Sequence, residues 1–267
     1  MKIPVFQIDA FTDVSFSGNP AAVCPLDEWL PDHVMQSIAL EMNLSETAFF
    51  VPSSLNPDEF DLRWFSPTTE VDLCGHATLA TGHVVFTKLR SDLDQVTFHT
   101  QSGALHVERR SDFLEMDFPA NPSSVLVDKN ERAAVASALG ATPTEILHAN
   151  TTIAVFETEA EVAALQPDFV AVAQLKEPWL AATAPSSSVE YDFVSRFFVP
   201  TAGIDEDPAT GSSHTILMPY WAKRFGKNKL VGRQISKRGG TMYCELSEHR
   251  VKIGGSVVEV MVGELTI

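Results

Sequence analysis

The order of hydrophobic and polar residues along the chain predicts many short strands. Strict alternation, or a run of β-branched and aromatic residues, marks each of them. Between the first two, Gly18-Asn19-Pro20 supplies residue types that are typical of a turn. The predicted strands are residues 3–9, 21–23, 45–51, 60–64, 105–108, 113–118, 191–199, 242–246 and 257–262.

Two segments without Asp, Glu, Lys or Arg predict helices that are buried on every side. They are residues 75–86 and 212–222, and a helix that is apolar all round needs cover all round. Pro219 should kink or end the second helix, because proline lacks the N–H that continues the hydrogen-bond ladder. Helical spacing also predicts more polar helices at residues 34–42, 130–140 and 159–165.

The two uncharged segments indicate an internal duplication. Gly211 follows Gly75 by 211 − 75 = 136 residues, and the same offset aligns Glu206 with Glu70. We therefore predict an α+β fold with two pseudo-symmetric halves, each a mostly antiparallel β-sheet curled around one central buried helix. The predicted halves are residues 1–120 and 121–267, with the final strand free to return to the first half.

Composition and charge argue against several classes of function. Of the 267 residues 45% are hydrophobic, but no apolar run is long enough to cross a bilayer. The net charge of −16 repels phosphate backbones, which makes nucleic acid a poor partner. Three widely spaced cysteines form neither a disulfide framework nor a four-cysteine zinc site. Because the N-terminus also lacks a secretory pattern, we expect a cytoplasmic protein without membrane contact.

Titratable residues gather near the predicted starts of the buried helices. Helix N-termini at Gly75 and Gly211 would offer unpaired N–H groups and a partial positive charge to a small anion, and pseudo-symmetry would bring the two ends together. Glu46 begins a strand among apolar residues, where a carboxylate can take and return a proton. His76 and Asp207 would then hold polar groups of the substrate.

Each of these residues also has a structural explanation. Glu46 alone fits an exposed carboxylate at a strand edge, and His76 fits a helix-cap residue. Asp207 fits a turn and an N-cap, a position that aspartate prefers. His83 and His214 lie further inside the buried helices, where we expect core histidines.

Four motifs are distributed along the chain. They are Phe11-Thr12 with Gly18-Asn19-Pro20-Ala21-Ala22-Val23, then Ser45-Glu46-Thr47-Ala48-Phe49, then Arg63-Trp64-Phe65-Ser66-Pro67 with Glu70-Val71-Asp72-Leu73-Cys74-Gly75-His76-Ala77-Thr78, and finally Asp205-Glu206-Asp207-Pro208-Ala209-Thr210-Gly211-Ser212-Ser213-His214. In order and spacing they resemble the signature of the phenazine-biosynthesis (PhzF-like) isomerase family. The resemblance covers essentially the whole chain.

This resemblance implies the fold of diaminopimelate epimerase and its relatives, with an active site in the cleft between similar halves and usually a homodimer. It also implies a cofactor-independent isomerase that moves a proton on a small carboxylate substrate. The catalytic residues that it implies are Glu46 as the acid/base, His76, Asp207 and Ser212. The substrate-binding residues expected beside them are Asn19, Ser45, Gly75 and Gly211.

We expect no metal and no nucleotide cofactor. The sequence contains no H-x-E-x-H, C-x-x-C or H-E-x-x-H spacing for a metal, and neither a Walker A motif nor G-x-G-x-x-G.

Two alternative functions stay open. The first is an amino-acid or hydroxyproline-type racemase or epimerase of the same fold, whose relatives use one cysteine from each half. Here Cys74 has Thr210 at the duplicate position, and a hydroxyl is a far weaker acid than a thiol. Cys74 is then interpreted as a small apolar filler. The second alternative is a non-catalytic module that binds a small molecule.

Overall fold

A computed structural model describes residues 1–54, 56 and 58–267 of the chain, which form two compact units. The first unit contains Met1–Asp117 and Gly254–Ile267, and the second contains Phe118–Ile253. Both combine strands with helices, which confirms the predicted α+β class. No helix in the described part of the chain is long and apolar enough to span a membrane.

The first unit contains a mixed sheet. Its strands are β1 (Lys2–Ala10), β2 (Asn19–Pro25), β3 (Glu46–Pro52), β4 (Glu59–Phe65), β5 (Glu70–Val71), β6 (Gln95–Thr100), β7 (Gly103–Arg109), β8 (Leu114–Pro119) and the last strand of the chain, β17 (Val257–Thr266). Strands β2 and β3 are parallel, as are β4 and β6. The other described pairs are antiparallel, including β17 with β1.

Two helices cover this sheet. Helix α1 (Asp32–Met42) packs against Phe49 and neighbouring core residues. Helix α2 (Gly75–Val84) is uncharged, contacts β1, β2 and β3, and continues into a π-helix at Val85–Leu89. Because side chains alternate along a strand, Glu46 points to the face opposite Phe49, and that face carries α2.

The second unit contains another mixed sheet with outer helices. Its strands are β9 (Ser124–Val125), β10 (Glu145–His148), β11 (Thr152–Val155), β12 (Leu180–Pro185), β13 (Phe193–Phe198), β14 (Lys229–Gln234), β15 (Gly240–Ser247) and most of β16 (Arg250–Gly255). Helices α3 (Lys129–Leu139) and α4 (Glu159–Ala164) confirm the polar helices predicted there. Helix α5 (Phe169–Ala173) packs with them on one hydrophobic cluster.

Helix α6 (Gly211–Phe225) is the apolar helix of the second unit. Pro219 lies inside it and does not end it, so that part of the prediction is wrong. Proline at this position leaves the carbonyl of Thr215, four residues earlier, without its helical partner. The N–H of Asn121 donates to that carbonyl at 3.0 Å, which satisfies it from outside the helix.

The two units repeat one order of strand pairing. In the first, β1, β2, β3, β4, β6 and β7 pair in the order antiparallel, parallel, antiparallel, parallel, antiparallel. In the second, β10 to β15 pair in the same order. The two apolar helices therefore come after corresponding strands. Helix α2 comes after β4 in the first unit, and α6 comes after β13 in the second.

A matching ion pair strengthens this correspondence. The guanidinium of Arg63 binds Glu70 through two hydrogen bonds of 2.7 Å, and that of Arg196 binds Glu206 through two of 2.8 Å. Each pair joins β4 or β13 to the segment between that strand and the apolar helix, and each arginine lies over a phenylalanine two residues later. Such bidentate pairs are geometrically specific, so they fix the path of both loops.

The repeat also shows which residue of the second unit corresponds to Glu46. Thr47 pairs with Phe65, and Leu180 pairs with Phe198, at an offset of 198 − 65 = 133 residues. The same offset takes Glu46 to 46 + 133 = 179, and residue 179 is tryptophan. The second unit therefore has no carboxylate at this position. The side chain of Trp179 is 45% exposed.

Candidate active site

Glu46 and His76 meet where the start of β3 lies beside the first turn of α2. Glu46 Oε2 is 3.1 Å from His76 Nε2, and the two side chains are 20% and 8% exposed. The pair lacks hydrogen-bond geometry, and neither atom has a hydrogen-bond partner among the residues that the structure describes. Buried polar atoms are nearly always paired in folded proteins, so an unpaired carboxylate oxygen beside an unpaired ring nitrogen marks a candidate site.

Cys74 contacts the other nitrogen of the same ring. Its Sγ lies 3.5 Å from His76 Nδ1, and both residues are buried. Cys74 occupies the N-cap position of α2, but its side chain makes no capping hydrogen bond to the helix backbone. The imidazole of His76 therefore lies between a thiol on one nitrogen and a carboxylate on the other.

These contacts set the charge of the site. Burial by itself lowers the pKa of His76, but its contacts with Cys74 and with Glu46 outweigh burial and raise the pKa well above its usual range. The carboxylate of Glu46 therefore favours the protonated form of the His76 ring. Burial, reinforced by the negative charge of Glu46, raises the pKa of Cys74 to about 11, so this residue is a neutral thiol.

Asn19 and Ser45 lie next to Glu46 in the fold. Asn19 begins β2 and is fully buried, and Ser45 Oγ donates to Asn19 Oδ1 at 3.3 Å. The preceding Gly18 has φ +64, and a Cβ there would lie 2.1 Å from the carbonyl oxygen of Ala10, so only glycine fits. The predicted turn therefore ends at Gly18, and Asn19 and Pro20 already belong to β2, while the role of Asn19 in substrate binding stays a prediction.

The second unit places the other predicted site residues at the start of α6. Thr210 is the N-cap residue, and its hydroxyl donates to the carboxylate of Asp207. The side chain of Gln234 accepts from the Thr210 N–H at 2.9 Å and donates to the Asp207 carbonyl at 2.6 Å. Asp207 therefore is not the cap of α6. Gly211 begins the helix and is buried, whereas Ser212 is exposed.

The roles predicted for these residues, and the expected homodimer, stay predictions. Sequence reasoning missed two contributors. Cys74 was interpreted as a filler, although its spacing of two residues from His76 across a helix start brings the side chains together. Gln234 lies 24 residues after Thr210 on another strand, and no local pattern marks it.

The two histidines inside the apolar helices differ from His76. His214 is fully buried, its Nδ1 donates to the carbonyl of Thr210 at 2.9 Å, and burial lowers its pKa to about 4. His214 is therefore the core histidine that we expected. His83 is partly buried, and burial lowers its pKa also.

The fold brings together three potential metal-ligating side chains that no spacing in the sequence indicates. One potential ligand atom from each of Glu46, Cys74 and His76 lies within 4.8 Å of the other two. The ring, however, presents Nε2 to the carboxylate and Nδ1 to the thiol, so the closest contacts use different nitrogens. This arrangement fits a hydrogen-bonded row better than a chelate, and the predicted independence of metal stays a prediction.

Comparison with known proteins agrees with the motifs. The family model for phenazine biosynthesis-like proteins, PhzC-PhzF, matches residues 8–263. The chain belongs to this family. An uncharacterised isomerase of Pseudomonas aeruginosa is 46% identical over 99% of both chains, and a crystal structure of a PhzF family protein from Enterococcus faecalis has a TM-score of 0.94 at 41% identity over the whole of both chains.

The fold of this chain is also similar to that of an epimerase outside the family. The structure of a hydroxyproline epimerase from Agrobacterium vitis matches with a TM-score of 0.60 at 9% identity, over 99% of this chain and 91% of that chain. This likeness shows the epimerase-like fold alone. The predicted fold and family are both confirmed, and isomerase is the class of activity that the family relatives support.

Proposed function

We propose that this protein is a cofactor-independent isomerase in which Glu46 moves a proton from one carbon to another on a small carboxylate substrate. The observation that carries the proposal is the pair of unpartnered, buried atoms Glu46 Oε2 and His76 Nε2, 3.1 Å apart. A base and a cation placed side by side can take a proton and stabilise the negative charge that forms.

The proposed step balances within the substrate and one side chain. A Glu46 carboxylate oxygen forms an O–H bond as the substrate C–H bond breaks, and the electron pair delocalises toward the conjugated double bond. The proton then passes from Glu46 to a different carbon, and the carboxylate is restored. The imidazolium of His76 stabilises the delocalised anion through its Nε2–H, without itself gaining or losing a proton.

Binding of the substrate's own carboxylate is assigned to the N-terminus of α2. The first-turn N–H groups of a helix have no intrahelical acceptor, and the helix dipole favours an anion there. The Cys74 side chain makes no capping hydrogen bond to this helix, so it does not satisfy these donors. His76 lies in the first turn of the same helix, and its raised pKa favours a positive charge there.

The racemase alternative lacks its chemical groups. A two-thiol mechanism needs two ionisable thiols, but Cys74 is a neutral thiol and the duplicate position holds Thr210, whose hydroxyl is already donated to Asp207. We therefore retain a single candidate function.

Solvent exchange tests the proposal. The protein is incubated in heavy water with a panel that includes dihydroaromatic carboxylates and 4-hydroxyproline, and products are analysed by NMR and mass spectrometry. Double-bond migration with deuterium at the new C–H position, lost in Glu46→Gln, is the expected result. Deuterium with inverted configuration would make the protein a racemase, and saturable binding without any incorporation would make it a binding module.

A further inference from the structure

The contact between Cys74 and His76 is built into the start of α2. Cys74 precedes the helix with extended backbone angles, φ −141° and ψ 110°, and His76 is the second helical residue. This geometry places Sγ 3.5 Å from Nδ1, with both side chains buried. The thiol thus contacts the ring nitrogen that faces away from Glu46.

A thiol at this position acts on the ring in both of its charge states. A neutral imidazole carries one N–H, and the hydrogen bond at one nitrogen decides whether the other keeps its hydrogen. A thiol is a weak donor and a weak acceptor. It can donate S–H to Nδ1 when the ring is neutral, and accept Nδ1–H when the ring is an imidazolium. In either state the hydrogen on Nε2 remains, and this nitrogen is the one that lies 3.1 Å from Glu46 Oε2.

We propose that Cys74 is a positioning residue, which holds a hydrogen on His76 Nε2 and fixes the ring with this nitrogen beside the acid/base Glu46. The proposal rests on the function proposed above. It requires a sulfur that keeps its own hydrogen, and the pKa of Cys74, raised to about 11 by burial and by the charge of Glu46, satisfies that requirement.

His214 provides the opposite case within the same chain. A carbonyl oxygen can only accept, and the carbonyl of Thr210 lies 2.9 Å from Nδ1 of His214, so the hydrogen of that ring is on Nδ1. Its Nε2 has no hydrogen-bond partner among the described residues. The two rings therefore differ in which nitrogen carries the hydrogen when both are neutral, and His214 serves as an internal reference.

Side-chain ¹⁵N NMR of histidine-labelled protein tests the assignment, because the ring shifts of the two tautomers differ. Threonine and valine have the same shape, but only threonine can donate and accept, so Cys74→Thr and Cys74→Val form a matched pair. Above the pKa of His76, we expect the Nε2–H tautomer in the wild type and in Cys74→Thr. In Cys74→Val the Nδ1–H tautomer should become populated. Cys74→Ala repeats the test without a branched side chain.

Kinetics supply the second readout. Loss of one such hydrogen bond should lower kcat by about fivefold to tenfold in Cys74→Val and Cys74→Ala, with KM nearly unchanged, and Cys74→Thr should restore most of it. Cys24→Ala, which removes a buried thiol from β2 of the same unit, should leave both readouts unchanged. Substantial activity should therefore remain in Cys74→Ala.

The result that would overturn the proposal is an unchanged His76 tautomer in both Cys74→Val and Cys74→Ala. That result would leave the function of Glu46 untouched, because the NMR measurement requires no turnover. Conversely, full activity of Glu46→Gln would refute the proposed function, while the tautomer measurement would still show whether the thiol orients the ring.

Discussion

Glu46 and His76 are in ion-pair contact at 3.1 Å with neither of the facing atoms satisfied, and this distinguishes them from a second Glu–His contact in the same unit. Glu59 begins β4 much as Glu46 begins β3, and Glu59 Oε2 is hydrogen-bonded to His99 Nε2 at 2.5 Å. The side chains of that pair are 26% and 31% exposed. The Glu59–His99 pair is hydrogen-bonded, whereas the facing atoms of Glu46 and His76 have no hydrogen-bond partner among the described residues.

Replacement of Glu46 by glutamine should abolish most of the turnover. Glutamine keeps the size and the hydrogen-bonding reach but cannot take a proton, and general acid/base catalysis is worth about 10² to 10⁴ in rate. Ligand affinity should change far less, because the α2 N–H groups remain. Steady-state kinetics and calorimetry measure both, and Glu59→Gln is the matched control with wild-type rates. Near-normal turnover of Glu46→Gln would refute the assignment.

Asp207→Asn should alter both rate and affinity. The Asp207 carboxylate accepts the hydroxyl of Thr210, and its carbonyl is bound to Gln234, so the substitution changes the charge at the start of α6 while most of the fold stays intact. We expect kcat to fall and KM to rise together. The control is Asp168→Asn, which substitutes another aspartate of the same unit that accepts backbone N–H groups at a helix start. A change confined to stability would make Asp207 purely structural.

The two buried histidines should respond to pH in opposite directions. The pKa of folded His76 is raised above the unfolded value of 6.5, so its contribution to stability is complete below pH 6.5 and is lost as pH rises through the folded pKa. The pKa of folded His214 is about 4, so its contribution is complete above pH 6.5 and is lost as pH falls toward 4.

Titration of the His76 and His214 rings, followed by ¹⁵N NMR, measures the two pKa values directly. The value of kcat/KM should fall on the alkaline side as His76 loses its charge. A His76 ring that is already neutral at pH 7 would contradict the expectation. The same would hold for a His214 ring that is protonated at pH 6.

Exhaustive chelation should leave turnover unchanged. The proposed chemistry uses a carboxylate, an imidazolium and backbone N–H groups, and His76 presents different nitrogens to Glu46 and Cys74. Activity is compared before and after dialysis against a chelator, with metal content measured by mass spectrometry. Loss of turnover that a divalent ion restores would reject this prediction.

The sequence predicted those elements whose pattern is local. The apolar helices, the polar helices α1, α3 and α4, and the motif-bearing strand β3 follow from composition, spacing and turn chemistry. Strands β11 and β12 were missed because they are short and buried on both faces, which removes the alternation that marks a half-exposed strand.

The same limit applies to the site. Glu46 and His76 were found through motifs, and their contact required the fold. The carbonyl that Pro219 leaves without a helical partner is bound by Asn121, nearly a hundred residues away, and such a contact has no local signal.

The internal repeat gives the chain one carboxylate, Glu46, at this position and a tryptophan at the corresponding position of the second unit, and this bears on the stereochemical course of the proposed reaction. Enzymes that invert a centre need one group to remove a proton and another to deliver one from the opposite side. This duplicated chain has a carboxylate at position 46 but a tryptophan at position 179. The indole of that tryptophan can neither remove the proton nor deliver one. In the proposed reaction Glu46 both removes and returns the proton, so we expect both transfers on the same side of the substrate plane. Because its carboxylate is only 20% exposed, part of the original hydrogen should be carried through to the product.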